Sequence, residues 1–195
     1  MATEDKIRWD QKYRSRLPSD QPVELIVQYA KLSPGKCALD IACGMGRNSR
    51  YLASLGFEVD ALDISDVAIE SLRNTPSIDP KVVDFDHDTL PKKQYDLVIC
   101  TYFLERKLFA PITHALTEGG IFLFETFLYH PANEKAPSNP AFLLAQGELQ
   151  SAFERDYEII HLREYWDRDP HGNKTMKAAL VARKRIDQEQ KSEKN

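Results

Sequence analysis

The sequence predicts an α/β fold: a doubly wound, Rossmann-like sheet of mostly parallel strands with helices on both faces. Short apolar runs alternate along the chain with helical segments, which is the order that a parallel sheet requires. One run, at 95–101, is apolar at nearly every position, as expected for a strand buried on both faces. With 195 residues, 42% of them hydrophobic, the chain can bury a core of its own. We place a single domain at 1–184 and a frayed polar tail at 185–195.

The N-terminal part of the domain, residues 1–33, is predicted to be a helical lid. A capped helix begins at residue 19 or 20 and ends near residue 32, before a Pro-Gly pair. Ahead of it, Trp9 and Tyr13 are aromatic side chains that are costly to leave in water. They are candidates to cover a ligand, and ordinary packing of an N-terminal helix is the alternative.

Strands and helices then follow one another along the chain. The predicted elements are strand 36–42, helix 47–55, strand 57–62, helix 65–74, strand 82–85, strand 95–101, helix 107–117, strand 121–127, helix 147–155, and strands 157–166 and 176–183. Residues 129–140 contain three prolines and are predicted to be a loop. The last two strands are joined by a turn-rich segment, so we expect them to be antiparallel.

Charge and cysteine usage exclude several classes of protein. The chain has 26 Lys and Arg against 30 Asp and Glu, a formal charge of −4, so no broad surface for nucleic acid or an anionic membrane is expected. It has no apolar run of roughly 18 residues to span a membrane, and its charged start does not resemble a secretory signal. Cys37, Cys43 and Cys100 lie in or beside apolar runs without a CxxC pair, which favours reduced thiols, no metal site and a cytoplasmic location.

The strongest motif is a glycine-containing turn, DIACGMG at 40–46, between the first strand and its helix. Glycines there let a ligand approach the backbone, and the helix N-terminus offers unpaired N–H groups. Gly44 lies 19 residues before Asp63, at the end of the second strand. A carboxylate at that point can accept hydrogen bonds from both hydroxyls of a ribose. The alternative is a plain tight turn with a solvated strand end.

A second carboxylate lies at the end of the third predicted strand. Asp84 is placed to accept a hydrogen bond from an adenine amino group, and the N–H of Phe85 is placed to meet a ring nitrogen. In a doubly wound sheet these positions open on the same carboxyl edge as Asp63. A loop carboxylate without a ligand is the alternative reading of Asp84.

Four segments carry a resemblance to a known family: DIACGMGRNSRYLA, VDALDIS, VVDFD and QYDLVICT, in that order. The series resembles the motifs of class I S-adenosylmethionine-dependent methyltransferases. Within that superfamily, GRNSRYLA, GEL at 147–149 and DPHGNK...LVARK are most similar to the tellurite-resistance group, which is close to thiol and thiopurine methyltransferases. The resemblance covers residues 39–184. It implies S-adenosylmethionine as cofactor and a seven-stranded sheet whose last strand inserts antiparallel.

The resemblance also implies which residues bind the cofactor. They are Asp40, Gly44 and Gly46 for the methionine moiety, Asp63 and Ile64 for ribose, Asp84 and Phe85 for adenine, Thr101 at the tip of the fourth strand, and Trp9 and Tyr13 in the lid. Ala42 stands where the family usually has the first glycine of the loop. Arg47 is a candidate for the cofactor's carboxylate, with a solvated helix position as the alternative.

Candidates on the substrate side come from segments that roof the site. They are Tyr102 and Arg106 after the fourth strand, and Tyr129 and His130 after the fifth strand, which contains Glu125 near its end. A histidine at such a place suits a general base near neutral pH, although a lone loop histidine is often solvated. The tellurite group carries a His-Arg pair where this chain has Trp166-Asp167, and an acidic residue there argues against an oxyanion such as tellurite as acceptor.

These observations favour a methyltransferase that acts on a small molecule. A thiol or chalcogen compound is the expected acceptor, because a soft nucleophile needs no dedicated base. The acceptor would be held by the lid, the loop at 127–140 and the turn at 166–173. An RNA or protein methyltransferase and a non-catalytic S-adenosylmethionine-binding subunit are the alternatives. A nicotinamide dehydrogenase ranks last, because Ser49 replaces the third glycine of that fingerprint. The oligomeric state is left open.

Overall fold

The computed structural model of the protein describes residues 2–15, 19–169 and 171–186. The strands are β1 (Cys37–Ile41), β2 (Glu58–Asp63), β3 (Ile78–Val82), β4 (Tyr95–Thr101), β5 (Leu116–Phe127), β6 (Tyr157–Arg168) and β7 (Lys174–Lys184). The helices are α1 (Ala2–Ser15), α2 (Glu24–Tyr29), α3 (Arg47–Ser54), α4 (Asp66–Leu72), α5 (Phe109–Ala115) and α6 (Glu148–Phe153). Most of the predicted tail, 187–195, and residues 16–18 of the predicted lid lie outside the described residues.

All seven strands form one sheet, in the order β3-β2-β1-β4-β5-β7-β6. The first five strands run parallel to one another, and β7 lies antiparallel between β5 and β6. The predicted fold class and the antiparallel last strand are therefore confirmed. Within the described part of the chain, no helix is long and apolar enough to cross a membrane.

Both faces of the sheet are covered, which explains why the central strands are apolar at almost every position. One apolar layer packs under α5 and α6 and contains Ile112, Leu149 and Phe153. The other packs under α2, α3 and α4 and contains Ile26 and Leu52, each fully buried. Because side chains alternate across a strand, β4 contributes to both layers.

The third strand differs from the prediction. It is Ile78–Val82 rather than 82–85, and it contains Pro80. A proline cannot donate a ladder hydrogen bond, so it argues against a central strand. In the sheet of the described residues, however, β3 is the edge strand and pairs with β2. Residues 83–85 instead lead away from the sheet into the turn that contains Asp84.

Two other elements have different bounds for local reasons. The predicted helix from residue 19 begins only at Glu24, after an extended Val23 whose N–H donates to the Asn48 side chain over 2.9 Å. The fifth strand begins at Leu116 rather than at residue 121, because the Gly119-Gly120 pair lies in an irregularity of the strand instead of after a helix. Gly119 has a φ of 73°, which fits such a kink.

Candidate functional site

The turn between β1 and α3 lies at the carboxyl edge of the sheet, and its backbone is left-handed at alternate residues. The φ angles are 56° at Ala42, 55° at Gly44 and 78° at Gly46. At Gly46 a Cβ atom would lie 2.3 Å from the buried Leu72 side chain, so glycine is required there. Of the three residues, Ala42 alone has a Cβ atom, so its left-handed backbone carries steric strain.

The strain at Ala42 gives a testable prediction. We expect Ala42→Gly to stabilise the protein by about 0.5–1 kcal/mol, since the left-handed strain exceeds the extra backbone entropy of glycine. Chemical denaturation of the two proteins measures the change. Ala38→Gly, in the interior of the buried strand β1, is the matched control and should destabilise. A loss of stability in Ala42→Gly would show that this backbone is not strained.

Asp63 ends β2 beside this turn and is 6% exposed. Its carboxylate accepts the N–H of Gly44 over 2.8 Å and the N–H of Ser65 over 2.9 Å. Burial raises the pKa of Asp63 above its usual value, and the backbone N–H donors partly offset that effect. The carboxylate is thus fixed at the point where the turn and the start of α4 meet. Ile64 follows it directly in the chain.

Asp40 lies below the turn and is almost fully buried. Its carboxylate accepts the Ser49 hydroxyl over 2.6 Å, and burial, with the charge of Asp63, raises the pKa of Asp40 to about 7. Ser49 therefore occupies the place of a third glycine for a structural reason. At the preceding residue, the Asn48 amide donates to the Thr101 hydroxyl over 3.1 Å. Asn48 and Ser49 were not predicted as site residues, although two polar residues on the buried side of a helix were a signal.

Helix α1 docks against the start of α4 and reaches the turn. The buried carboxylate of Asp10 accepts the Ser65 hydroxyl and the N–H of Val67, the latter over 3.2 Å. The Tyr13 hydroxyl lies over Gly44, close enough that a Cβ on the glycine would be 2.9 Å from it. Trp9 stacks on Tyr13 with ring centroids 5.5 Å apart. Burial raises the pKa of Tyr13 well above its usual range, and the Asp63 charge adds to the effect.

The docking of α1 can be tested by mutation. We expect Asp10→Ala to increase the rate of tryptic cleavage within α1 several-fold, because the Ser65 hydroxyl and the Val67 N–H lose their acceptor. Mass spectrometry of partial digests measures that rate. Asp5→Ala is the matched control, since Asp5 pairs with Arg8 of the same helix at 2.8 Å. Equal rates in both variants would contradict this description of the docking.

The loop after β3 brings Asp84 and Phe85 to the same edge of the sheet. The N–H of Val83 donates to the Asp63 carbonyl over 2.9 Å, which joins this loop to the end of β2. The Asp84 carboxylate accepts the N–H of Asp86 over 3.0 Å, and this bond holds the backbone of 84–86 in a turn. Phe85 is buried and packs on Phe103.

The four substrate-side candidates fall into two places. Arg106, Tyr129 and His130 line one cavity of about 470 Å³ with residues of the proline-rich loop. Arg106 donates to Glu148 over 2.6 Å and to the carbonyls of Ala141 and Leu143, so it fastens that loop to α6. Tyr129 is 59% exposed, and the His130 ring packs edge-on against Trp166.

Tyr102 lies apart from the other three, directly after Thr101 and with a φ of 59°. Its hydroxyl donates to Glu125 over 2.8 Å and accepts from the Lys177 ammonium over 3.0 Å. The Arg47 guanidinium stands 5.4 Å from the centre of its ring. Burial and the Glu125 charge hold the pKa of Tyr102 above its usual value, so the phenol is protonated near neutral pH.

A second cavity, of about 300 Å³, lies beside Lys177 and the β6–β7 turn. The Lys177 ammonium also donates to the Asp167 carboxylate over 2.6 Å. The acidic residue that replaces a basic one in the tellurite group is therefore neutralised by a lysine that the sequence analysis did not single out. Its signal was weak: one lysine within the apolar run of β7.

Comparisons with known proteins agree with this geometry. A family described as "Methyltransferase domain" matches residues 11–157. A probable S-adenosyl-L-methionine-dependent methyltransferase, TehB of Haemophilus influenzae, is 30% identical over 179 residues, which cover 82% of this chain and 61% of that protein. This chain thus spans about three fifths of the length of that relative.

Solved structures of the same group share the fold. The crystal structure of TehB from Haemophilus influenzae superposes with a TM-score of 0.73 at 24% identity, covering 91% of this chain and 67% of that one. A TehB-like S-adenosylmethionine-dependent methyltransferase from Corynebacterium glutamicum gives a TM-score of 0.61 at 20% identity, covering 94% and 98%. The expected resemblance to the tellurite-resistance group is confirmed. The chain belongs to the methyltransferase domain family, and its sequence and fold are similar to those of the TehB group.

Proposed function

We propose that this protein is an S-adenosylmethionine-dependent methyltransferase that acts on a small-molecule acceptor. The observation that carries the proposal is the Asp63 carboxylate, held at the carboxyl end of β2 by the N–H of Gly44 in the left-handed turn. A fixed carboxylate beside such a turn suits a ribose and the chain attached to it. Family membership supports the same reading.

The described residues fit the proposed cofactor in its three parts. Asp63 would bind the ribose with Ile64, and Asp84 with Phe85 would bind the adenine. The methionine moiety would lie along the turn. Its proposed partners are Asp40, Ala42, Gly44, Gly46, Arg47 and Thr101. We further propose that α1 acts as a lid, since Tyr13 already lies over Gly44 and Trp9 stacks on it. The lid would exclude water from the site.

When bound, S-adenosylmethionine would supply a methyl group on a sulfonium, which is the methyl donor for the acceptor. The chain's own residues then have to orient the acceptor and keep water out. Tyr102 is protonated near neutral pH, and the Glu125 carboxylate is already engaged by its hydroxyl. Neither is a good base, which supports a soft acceptor that arrives deprotonated, such as a thiolate or a selenolate.

The remaining proposals concern the whole chain. We propose one domain over 1–184. A cytoplasmic location is supported by the cysteines, because Cys43 and Cys100 are buried, Cys37 is half-buried, and all three are free thiols. RNA or protein as acceptor is the second candidate, and the small cavities at the site favour small molecules over it.

A transfer assay tests the proposed activity. The protein is incubated with methyl-labelled S-adenosylmethionine and a panel of small thiols, selenols and phenols, and methylated products are separated by chromatography. We expect label in a thiol or selenol product that depends on protein concentration. Transfer only to added RNA or protein would replace the small-molecule proposal with the second candidate.

A further inference from the structure

A cluster of charged side chains, buried except for the half-exposed Asp167, lies next to the proposed cofactor positions but is not part of them. At its centre is Lys177 on β7, whose side chain is 11% exposed. Its ammonium donates to the Tyr102 hydroxyl over 3.0 Å and to the Asp167 carboxylate over 2.6 Å. A buried ammonium is costly unless it is paired, so these contacts explain how Lys177 is tolerated.

The carboxylates of the cluster are satisfied by protein donors. Glu125 is 5% exposed, accepts the Tyr102 hydroxyl over 2.8 Å and is also hydrogen-bonded by Tyr165. Asp167 accepts from Lys177 and from the N–H of Arg168 over 2.8 Å. The acidic members therefore have their donors within the protein.

The ammonium is different, because it has donor capacity to spare. A lysine ammonium has three N–H donors, and the contacts with Tyr102 and Asp167 use two of them. Lys177 also lines the 300 Å³ cavity, where Phe127 supplies an apolar wall. That volume is at the lower end of the range for ligand sites, about 300–1,000 Å³.

The charges around this cavity favour an anion. Three cationic side chains line it against two carboxylates, Asp167 and Asp169. Asp169 is itself neutralised, since Lys135 lies 3.4 Å from it. Arg168 donates to a carbonyl of the turn over 2.6 Å. A ligand that enters the cavity thus meets the buried Lys177 ammonium. Asp167, the carboxylate paired with it, does not use all three of the N–H donors of Lys177.

The cluster is connected to the proposed cofactor site through the end of β4. Tyr102 follows Thr101 in the chain. The Arg47 guanidinium lies 5.4 Å from the centre of its ring, and the Lys177 ammonium lies 4.7 Å from it. In the sheet, Lys177 pairs with Phe127 of β5. A molecule bound at Lys177 would therefore lie on the carboxyl side of β4 and β5, next to Thr101.

We propose that Lys177 binds an oxyanionic group, such as a carboxylate, on the methyl acceptor, and that Tyr102 and Asp167 hold the ammonium in place for it. The acceptor class is then a small thiol that carries an acid group. This inference rests on the proposed function and adds the charge of its substrate. Lys177 is a substrate-binding residue, and Tyr102 and Asp167 are positioning residues.

Two thiols that differ mainly in charge test the inference. Methyl transfer is measured with 3-mercaptopropionate and with 2-mercaptoethanol for wild type, Lys177→Met, Lys177→Arg and the exposed control Lys81→Met. We expect wild type and Lys81→Met to favour the acid by at least tenfold in kcat/KM. Lys177→Met should lose that preference, because KM for the acid rises at least tenfold more than KM for the neutral thiol, and Lys177→Arg should restore it in part.

Titration of each variant with S-adenosylhomocysteine is run in parallel. Binding within twofold of wild type shows that Lys177→Met is folded and that the cofactor site is intact. An equal loss of activity on both thiols, or no preference in wild type, overturns the inference and leaves the proposed function standing. A folded protein that binds no S-adenosylhomocysteine and transfers no methyl group overturns both.

A direct binding measurement covers the case in which neither thiol is methylated. Saturation-transfer NMR detects 3-mercaptopropionate on the complex of the protein with S-adenosylhomocysteine. Binding that is lost in Lys177→Met and kept in Lys81→Met supports the inference. The absence of binding to wild type at millimolar concentration contradicts it.

Discussion

Replacing Asp63 with alanine is expected to weaken S-adenosylhomocysteine binding by about 10- to 100-fold, since hydrogen bonds to a charged group contribute about 1.5–3 kcal/mol. The variant loses the proposed ribose acceptor. It also releases the N–H groups of Gly44 and Ser65, which the carboxylate holds at 2.8 and 2.9 Å. Because both effects act on the same site, we expect a large change. Titration calorimetry measures it.

Two further variants separate the charge of Asp63 from its shape. Asp63→Asn keeps one acceptor oxygen and should fall between wild type and Asp63→Ala. Asp79→Ala removes an exposed carboxylate that pairs with Lys81 on the edge strand and should bind like wild type. If Asp63→Ala stays folded and binds within twofold of wild type, Asp63 is not the ribose ligand.

Replacing Gly46 with alanine is expected to destabilise the protein by about 2–4 kcal/mol, from two causes. The residue has a φ of 78°, which an alanine adopts only with strain. Its new Cβ would also lie 2.3 Å from Leu72, which is fully buried and packed under the sheet. Either Leu72 or the turn must shift. Chemical denaturation measures the loss.

Gly56 provides a matched control for the backbone part of that loss. Its φ of 82° is close to that of Gly46, but a Cβ there would meet nothing within 4 Å. Gly56→Ala should therefore show the strain alone, about 1–2 kcal/mol. The difference between the two variants measures the clash with Leu72. Equal losses would mean that the core yields to the extra methyl group without cost.

The parts of the fold that follow local rules could be predicted from the sequence. The run at 95–101 is β4, and the antiparallel order of the last strands follows from the turn-rich segment between them. The third strand was predicted in the wrong place, because Pro80 lowers the strand signal of 78–82. Only the position of β3 at the edge of the sheet makes that proline acceptable.

Part of the candidate site could likewise be predicted from the sequence, and part could not. The turn at 40–46 and Asp63 were found from a spacing along the chain, and the structure joins them by one hydrogen bond of 2.8 Å. Asn48 and Lys177 were missed, because their contacts are with residues far away in the sequence. Asn48 donates a hydrogen bond to Thr101, and Lys177 donates one to Tyr102. The residues that flank Asn48 and Lys177 in the sequence do not indicate these partners.

We propose above that the turn at 40–46 and the Asp63 carboxylate beside it form a binding site for S-adenosylmethionine. Titration calorimetry of the wild-type protein with S-adenosylhomocysteine tests that claim most directly, since it depends on no knowledge of the acceptor. We expect saturable binding with one molecule per chain. A folded protein that releases no binding heat at several temperatures, and whose melting temperature does not change with the ligand, would contradict the claim.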